Sequence, residues 1–366
     1  MELKFEYTEG NHFKWGYGDE WYNEPNKDKT YKIQLGYTKR PVGTFREECV
    51  NSARLIGEKA TKPILVGLSG GGDSQMVCLS MLEAKVPFKV VIVKLFDEFW
   101  SHVNSEDNET AYAFCEKYNI EYFEHMVNLD YFYNDQALDY AEKYGFTQLH
   151  TIVQCGVMDQ FCPDYCYIMA GGDIVFTPYA NVVTPDITLP KITNTVNPDA
   201  ITIPVWWQTP QPIMQHMLEM GYEGTSKFFL YTPELMAAYL QDKVVSDFLE
   251  NKHVIFQTFT RWFPRPKDIW WRCFHMMYKP ILVKHHFPEI IANRKLTGFE
   301  EIEKINSKNG PRTLFETYQK KINIASKGVN FGQVIVPTVE ELIEYITTPH
   351  THSLEATKLL YNVYNP

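Results

Sequence analysis

Six residues, Ser69-Gly70-Gly71-Gly72-Asp73-Ser74, stand between an apolar run, Ile64 to Leu68, and a run that suits a helix from Ser74 onward. Glycine takes positive φ and lets a ligand come close to the main chain. Successive N–H groups turned inward form an anion nest, and a following helix N-terminus adds the positive end of its dipole. Ser69 and Ser74 add hydroxyl donors. The combination suits a phosphate chain. The order is neither GxxxxGK(S/T) nor GxGxxG, and no lysine stands in the loop to hold a terminal phosphate. An aspartate inside a phosphate nest repels the ligand unless a cation sits between them, so Asp73 implies Mg²⁺ bridging to phosphate oxygens. The structural alternative is a turn with Asp73 or Ser74 capping the helix. It leaves three consecutive glycines, each costly to strand or helix, without a use.

The loop needs a strand before it and a helix after it. Ile64 to Leu68 is apolar throughout, as in a strand buried on both faces, and Phe45 to Lys59 suits a helix ahead of it. Beyond the loop the patterns alternate. Ser74 to Glu83 reads as helix, FKVVIVKL (88–95) as strand, Asn108 to Tyr118 as helix and IEYFEHMV (120–127) as strand. Asn134 to Tyr144 and Thr151 to Phe161 read as helices, and YCYIMA (165–170) as strand. This predicts an α/β fold, a doubly wound parallel sheet with helices on both faces. Such sheets bind ligands beyond the carboxyl ends of their strands, where strand order switches. The glycine loop and Gly171-Gly172-Asp173 are therefore expected on one edge. Residues 1–55 read as a strand and loop extension, 56–180 as the α/β domain and 181–212 as an irregular connection rich in Pro, Thr and Asn. Residues 213–366 read as mainly helical, with PELMAAYLQDKVVSDFL and TVEELIEYI.

The 366 residues suffice for two domains, and the net charge of -10 argues against a protein that coats nucleic acid. No apolar run approaches the roughly 20 residues that span a bilayer, and MELKFEYTEG lacks the pattern of a signal peptide. Seven cysteines without framework spacing read as free thiols in a reducing cytosol, so a cytoplasmic protein is expected.

Ser-Gly-Gly-x-Asp-Ser after the first strand of an α/β domain resembles the signature of the PP-loop ATP pyrophosphatases, HUP-like proteins that include asparagine, argininosuccinate, GMP, NAD and tRNA-lysidine synthetases. Residues 69–74 match it completely. The resemblance implies ATP with its pyrophosphate on Ser69, Gly70, Gly71, Gly72, Asp73 and Ser74. It also implies attack on the α-phosphorus, adenylation of a substrate carbonyl oxygen, and adenine near Val93 to Leu95. Three later stretches are similar to the synthetase domain of asparagine synthetases. MAGGDIVF (169–176) places Asp173 on that family's metal-binding aspartate, and FFLYTPELMAAYL (228–240) resembles its Pro-led helix. MYKPILVKHHFPEIIANRKLTGFEEI (277–302) places Lys279 on its catalytic lysine, a cation for transition-state charge. The likeness covers about residues 60 to 302 in the right order.

Departures from the family shape the expected chemistry. Position 2 is Glu where the family's glutaminase domain has its nucleophilic Cys, and about 60 residues precede the loop, too few for that domain. Nitrogen is therefore expected from free ammonia, an amine or a separate donor. Ala170 replaces a carboxylate, Ile174 replaces Glu, and Lys295 lies three residues before Gly298 instead of two. The adenylating set is fuller than the acceptor set. The expected function is an ATP-dependent, AMP-forming ligase acting on a small carboxylate or amide-like carbonyl. A PP-loop sulfurtransferase or sulfonucleotide reductase using Cys155, Cys162 or Cys166 is the second reading, and a nucleotide-binding module without turnover the third. Asp97 and Glu98 are candidates for ribose contact. Lys284, His285 and His286 read as a polar helix face before an anion site, and Trp206-Trp207 and Trp270-Trp271 as packing before ligand stacking.

Overall fold

Strand and helix alternate along the chain as the apolar periodicity requires. The computed structural model describes residues 13–22, 29, 31–96, 102–144, 149–171, 203–205, 210–251, 281–291, 318, 321–322, 324–325, 331–336, 339–355 and 358–360. Two short strands, β1 (Lys14–Tyr17) and β2 (Tyr31–Gln34), precede helix α1 (Phe45–Lys59). Next come β3 (Ile64–Gly67), α2 (Gly72–Glu83), β4 (Phe88–Phe96), α3 (Ser105–Tyr118) and β5 (Tyr122–Asn128). They are followed by α4 (Leu129–Asn134), α5 (Gln136–Tyr144), α6 (Leu149–Phe161) and β6 (Cys166–Ile168). Further on lie β7 (Ile203–Val205), α7 (Pro210–Met220), β8 (Gly224–Thr225), a short 3-10 helix (Phe228–Leu230), α8 (Pro233–Gln241) and α9 (Lys243–Glu250). Helical residues 281–286 come next. The last elements are β9 (Phe331–Val336), α10 (Val339–Thr347), β10 (Leu354–Glu355) and β11 (Lys358–Leu360).

Five strands form a parallel sheet in the order β5-β4-β3-β6-β8. The fold is α/β and doubly wound: period-2 alternation sends each strand's side chains to two cores. Ile64, Val66, Val90, Ile92, Cys166 and Ile168 face one core with α1, α2, α3, α8 and α10. Leu65, Val91 and Tyr167 face the other with α4 to α7. Both faces are covered, which is why the strands read as continuous apolar runs. Strand order reverses between β3 and β6, paired from Ile64 with Cys166 to Val66 with Ile168. β4 outruns β3: its last bond to that side is Leu68 N–H to Val91 O at 2.9 Å.

Two further sheets are antiparallel, β1-β2-β10 and β11-β9-β7. Trp15, Tyr17 and Ile33 of β1 and β2 are buried in the first core. Among the described residues four strands, β8, β9, β10 and β11, fall in the stretch read as helical. β8 pairs with β6 and so carries the parallel sheet beyond residue 180, but two residues are too short for any period to show. FGQVIV of β9 has the β-branched residues of a strand, and β11 pairs with it. The single helix read over PELMAAYLQDKVVSDFL is two, because Asp242 takes ψ 140 and caps α9, its Oδ1 accepting from Val244 N–H at 2.8 Å. Among the described residues no helix is long and apolar enough to cross a membrane.

At the amino end of the sheet a polar network joins α5, α6 and α7. His216 Nε2 donates to Asp159 Oδ1 at 2.6 Å, Tyr222 OH donates to the same oxygen at 2.8 Å, and Tyr140 OH donates to Oδ2. Burial works against the Asp159 charge, but these three bonds outweigh it and hold the carboxyl below its ordinary range. A carboxyl with a lowered folded pKa stabilises fully above its unfolded value, near 4, and loses that contribution as the pH falls through the folded value. Asp159→Asn is therefore expected to lower stability at neutral pH and to flatten its loss in acid. Urea unfolding midpoints measured from neutral pH down to about pH 2 check this.

Candidate functional site

The glycine loop leaves β3 at the point where strand order reverses, the position at which open α/β sheets bind ligands. Gly70 turns the chain at φ +78°, and a Cβ there would lie 2.2 Å from Asp107 O, so the loop is pressed against the first turn of α3. α2 starts with Gly71 as N-cap, which offers no side-chain bond. The first helical bond is Gln75 N–H to Gly71 O at 3.1 Å, and helix geometry gives the N–H groups of Gly72, Asp73 and Ser74 no acceptor within α2. An N-cap without a side chain brings no competing acceptor of its own to this helix start, where anions bind favourably.

The two serines differ. Ser74 is buried, accepts from Ser69 N–H at 3.2 Å and donates to Gly71 O at 3.0 Å, so it ties the loop together. Ser69 is exposed, and its Oγ lies 3.3 Å from that of Ser74. Asp73 is half-buried in the first turn of α2. A hard carboxylate beside a row of N–H groups fits Mg²⁺, which takes one or two carboxylates and completes its shell with phosphate oxygens and water. Asp173, Lys279, Asp97, Glu98, Ile174, Lys295, Gly298 and the four paired tryptophans lie outside the described residues.

Residues 281–291 are locked onto the loop. The Gln75 amide, fully buried, donates to Gly70 O at 2.8 Å and Ile291 O at 3.0 Å and accepts from Ile291 N–H at 2.7 Å. Arg46 of α1 bonds Glu289 Oε1 at 2.8 Å and His286 O at 2.8 Å, while Lys117 of α3 reaches Glu289 O at 2.9 Å. Thus α1, α2 and α3 all hold the middle of the stretch 277–302. The polar-face reading of Lys284 and His285 agrees with their exposure. His286 instead turns inward and bonds Asp242 Oδ2 at 2.6 Å.

Opposite the loop, Ala170 and Gly171 follow β6. A Cβ at Gly171 would lie 2.9 Å from Ser226 O and 3.3 Å from Lys227 Nζ. Lys227, only 9% exposed, follows β8 and brings an ammonium to the same edge. The sequence does not mark it, because a single lysine ahead of an aromatic pair carries no spacing signal. Val93 and Leu95 stand on the β4 overhang. Val93 O accepts from Asn104 Nδ2 at 2.9 Å, and Leu95 N–H donates to Asn104 Oδ1 at 2.8 Å.

Cys155, Cys162 and Cys166 are buried. Cys166 opens β6 and its N–H bonds Pro63 O ahead of β3, at the sheet edge opposite the loop. Burial pushes the Cys166 thiol up to about 12 and the other two upward as well. Nucleophilic sulfur chemistry needs an accessible thiolate. The native thiols are expected to resist alkylation that proceeds once the protein is unfolded.

No protein-family model matches the chain, and no curated protein is similar to it. Among solved structures it is similar to the NMN synthetase of Francisella tularensis, with 16% identity over 35% of this chain and 53% of that one and a TM-score of 0.24. The chain thus spans about half the length of that protein. The NH3-dependent NAD synthetase of Campylobacter jejuni shares 13% identity over 69% of this chain and 97% of that one, TM-score 0.28. The glutamine-dependent NAD+ synthetase of Acinetobacter baumannii, in complex with ADP, shares 13% over 39% and 30%, TM-score 0.26. Likenesses of this size say nothing of what the chain acts on.

Proposed function

We propose that this protein is an ATP pyrophosphatase that adenylates a carboxylate or amide-like carbonyl and passes the activated group to ammonia or an amine. The observation that carries the reading is the loop Ser69–Ser74, which opens at the strand-order switch onto an N-terminus of α2 without a side-chain cap. In this reading the N–H groups of Gly72, Asp73 and Ser74 bind the β- and γ-phosphates and stabilise the pyrophosphate as it leaves. Asp73 holds Mg²⁺, with Asp173 as its second carboxylate. Bound by these carboxylates, Mg²⁺ would supply positive charge that offsets that of the phosphates. A substrate oxygen attacks the α-phosphorus, the bond to the bridging oxygen breaks and pyrophosphate departs. The amine nitrogen then attacks the activated carbon, loses a proton and expels AMP. Lys279 and Lys227 are the cations proposed for the charged intermediate.

The finer assignment, an asparagine-synthetase-like amide formation fed by ammonia or a separate nitrogen donor, rests on the motifs at 169–176, 228–240 and 277–302. The gripping of residues 281–291 by α1, α2 and α3 supports the third of these as part of the site. Pyrophosphate release from Mg-ATP against a panel of amino, sugar and nucleoside carboxylates, with and without ammonia, tests the reading. Release that depends on one panel member supports it. Tight ATP binding with no release from any member favours a nucleotide-binding module, a reading motivated by Ala170 standing where the family has a carboxylate.

A further inference from the structure

Asn104 is the N-cap of α3, a position where its side chain normally accepts from the first-turn N–H groups. Here it makes no such bond. Its carboxamide turns to the overhanging edge of β4, accepting from Leu95 N–H at 2.8 Å and donating to Val93 O at 2.9 Å. These two partners are main-chain groups, so the amide has only one orientation that satisfies them, and its Nδ2 also donates to Asn108 Oδ1 at 3.2 Å. The segment around it follows the same edge: Val103 N–H donates to Leu95 O at 2.8 Å, and His102 bridges to Phe96 and stacks on its ring. Asn108 adds a second, longer bond to Val93 O at 3.3 Å.

A strand edge that presents C=O of one residue and N–H of the next but one pairs with any planar group carrying a donor beside an acceptor. A carboxamide is the smallest such group. The N6–H and N1 edge of adenine is another. Val93 and Leu95 lie past the end of β3, beyond Leu68, on the side of β4 that faces the glycine loop. We propose that Asn104 is an in-chain stand-in for the base. It occupies the adenine-pairing edge of β4, must be displaced when ATP binds, and thereby sets both nucleotide affinity and base selectivity. This deepens the proposed function and rests on ATP binding at the loop.

The edge also discriminates. With the phosphates fixed in the loop, the ribose fixes the order of atoms along the base. Guanine presents its acceptor and donor exchanged relative to adenine, so it does not match the order that Asn104 vacates. Removing the amide therefore helps ATP and not GTP.

The experiment measures binding of ATP, GTP and inorganic tripolyphosphate to the full chain and to Asn104→Ala by calorimetry with Mg²⁺. The two hydrogen bonds that ATP no longer has to displace are expected to tighten ATP about tenfold. Tripolyphosphate, which has no base, and GTP are expected to bind as before. If Asn104→Ala does not fold, Asn104→Ser keeps a good helix N-cap, cannot bridge both edge groups, and is expected to give the same shift. ATP affinity unchanged or weakened, with tripolyphosphate binding intact, overturns the role of Asn104. Absence of both ATP and tripolyphosphate binding in the unaltered chain instead removes the functional reading on which it rests.

Discussion

Asp73→Asn is expected to abolish pyrophosphate release while leaving the fold intact. The side chain is half-buried in the first turn of α2, beside the N–H groups proposed for the phosphates. Asparagine keeps its size and suits the start of a helix, so stability is expected to change little. What it loses is the charge proposed to hold Mg²⁺ against the phosphates. Loss of one such electrostatic contribution to a transition state costs about 10²- to 10³-fold in kcat. Turnover and thermal melting of the same sample check this together. Unfolding in parallel with lost activity would make Asp73 a structural residue.

The second large effect is expected at Gln75. Gln75→Leu removes one amide that serves three main-chain groups, Gly70 C=O and both N–H and C=O of Ile291. A buried group that loses its partner costs about 1–3 kcal/mol, and with Ile291 only half-buried a loss of about 2 kcal/mol is expected. The loss also detaches residues 281–291 from the glycine loop. Turnover is therefore expected to fall under conditions where the variant is still folded. Gln75→Glu keeps the acceptor for Ile291 N–H but turns a buried carboxylate oxygen toward two carbonyl oxygens, so it is expected to destabilise at least as much. Denaturant unfolding with parallel activity measurements reads both effects. A Gln75→Leu protein as stable and active as the parent would contradict the clamp.

The glycine hexapeptide and the strands around it were legible because each carries its signal locally. Three glycines beside an aspartate have few uses, and strands buried on both faces show as unbroken apolar runs. The clamp was not legible. Gln75 sits in SQMVC, where one polar residue in a helix reads as its solvent side, and its partner Ile291 is 216 positions away. Asn104 was hidden for a related reason: an asparagine ahead of a helix reads as a cap, and only the coordinates show that it bonds β4 instead. Lys227 and β8 become visible only through pairing with β6. The spacing of the three cysteines fits no standard cluster and reads first as structural thiols, with sulfur transfer as the alternative, and the burial of all three agrees with packing.

The proposed reaction is attack at the α-phosphorus of an ATP held by residues 69–74. Phosphorus NMR of Mg-ATP turned over by the full chain, with the carboxylate panel and ammonia present, tests it most directly, because the products reveal which bond breaks. AMP and pyrophosphate in equal amounts, lost in Asp73→Asn, are the predicted result. ADP and inorganic phosphate as the products would contradict it.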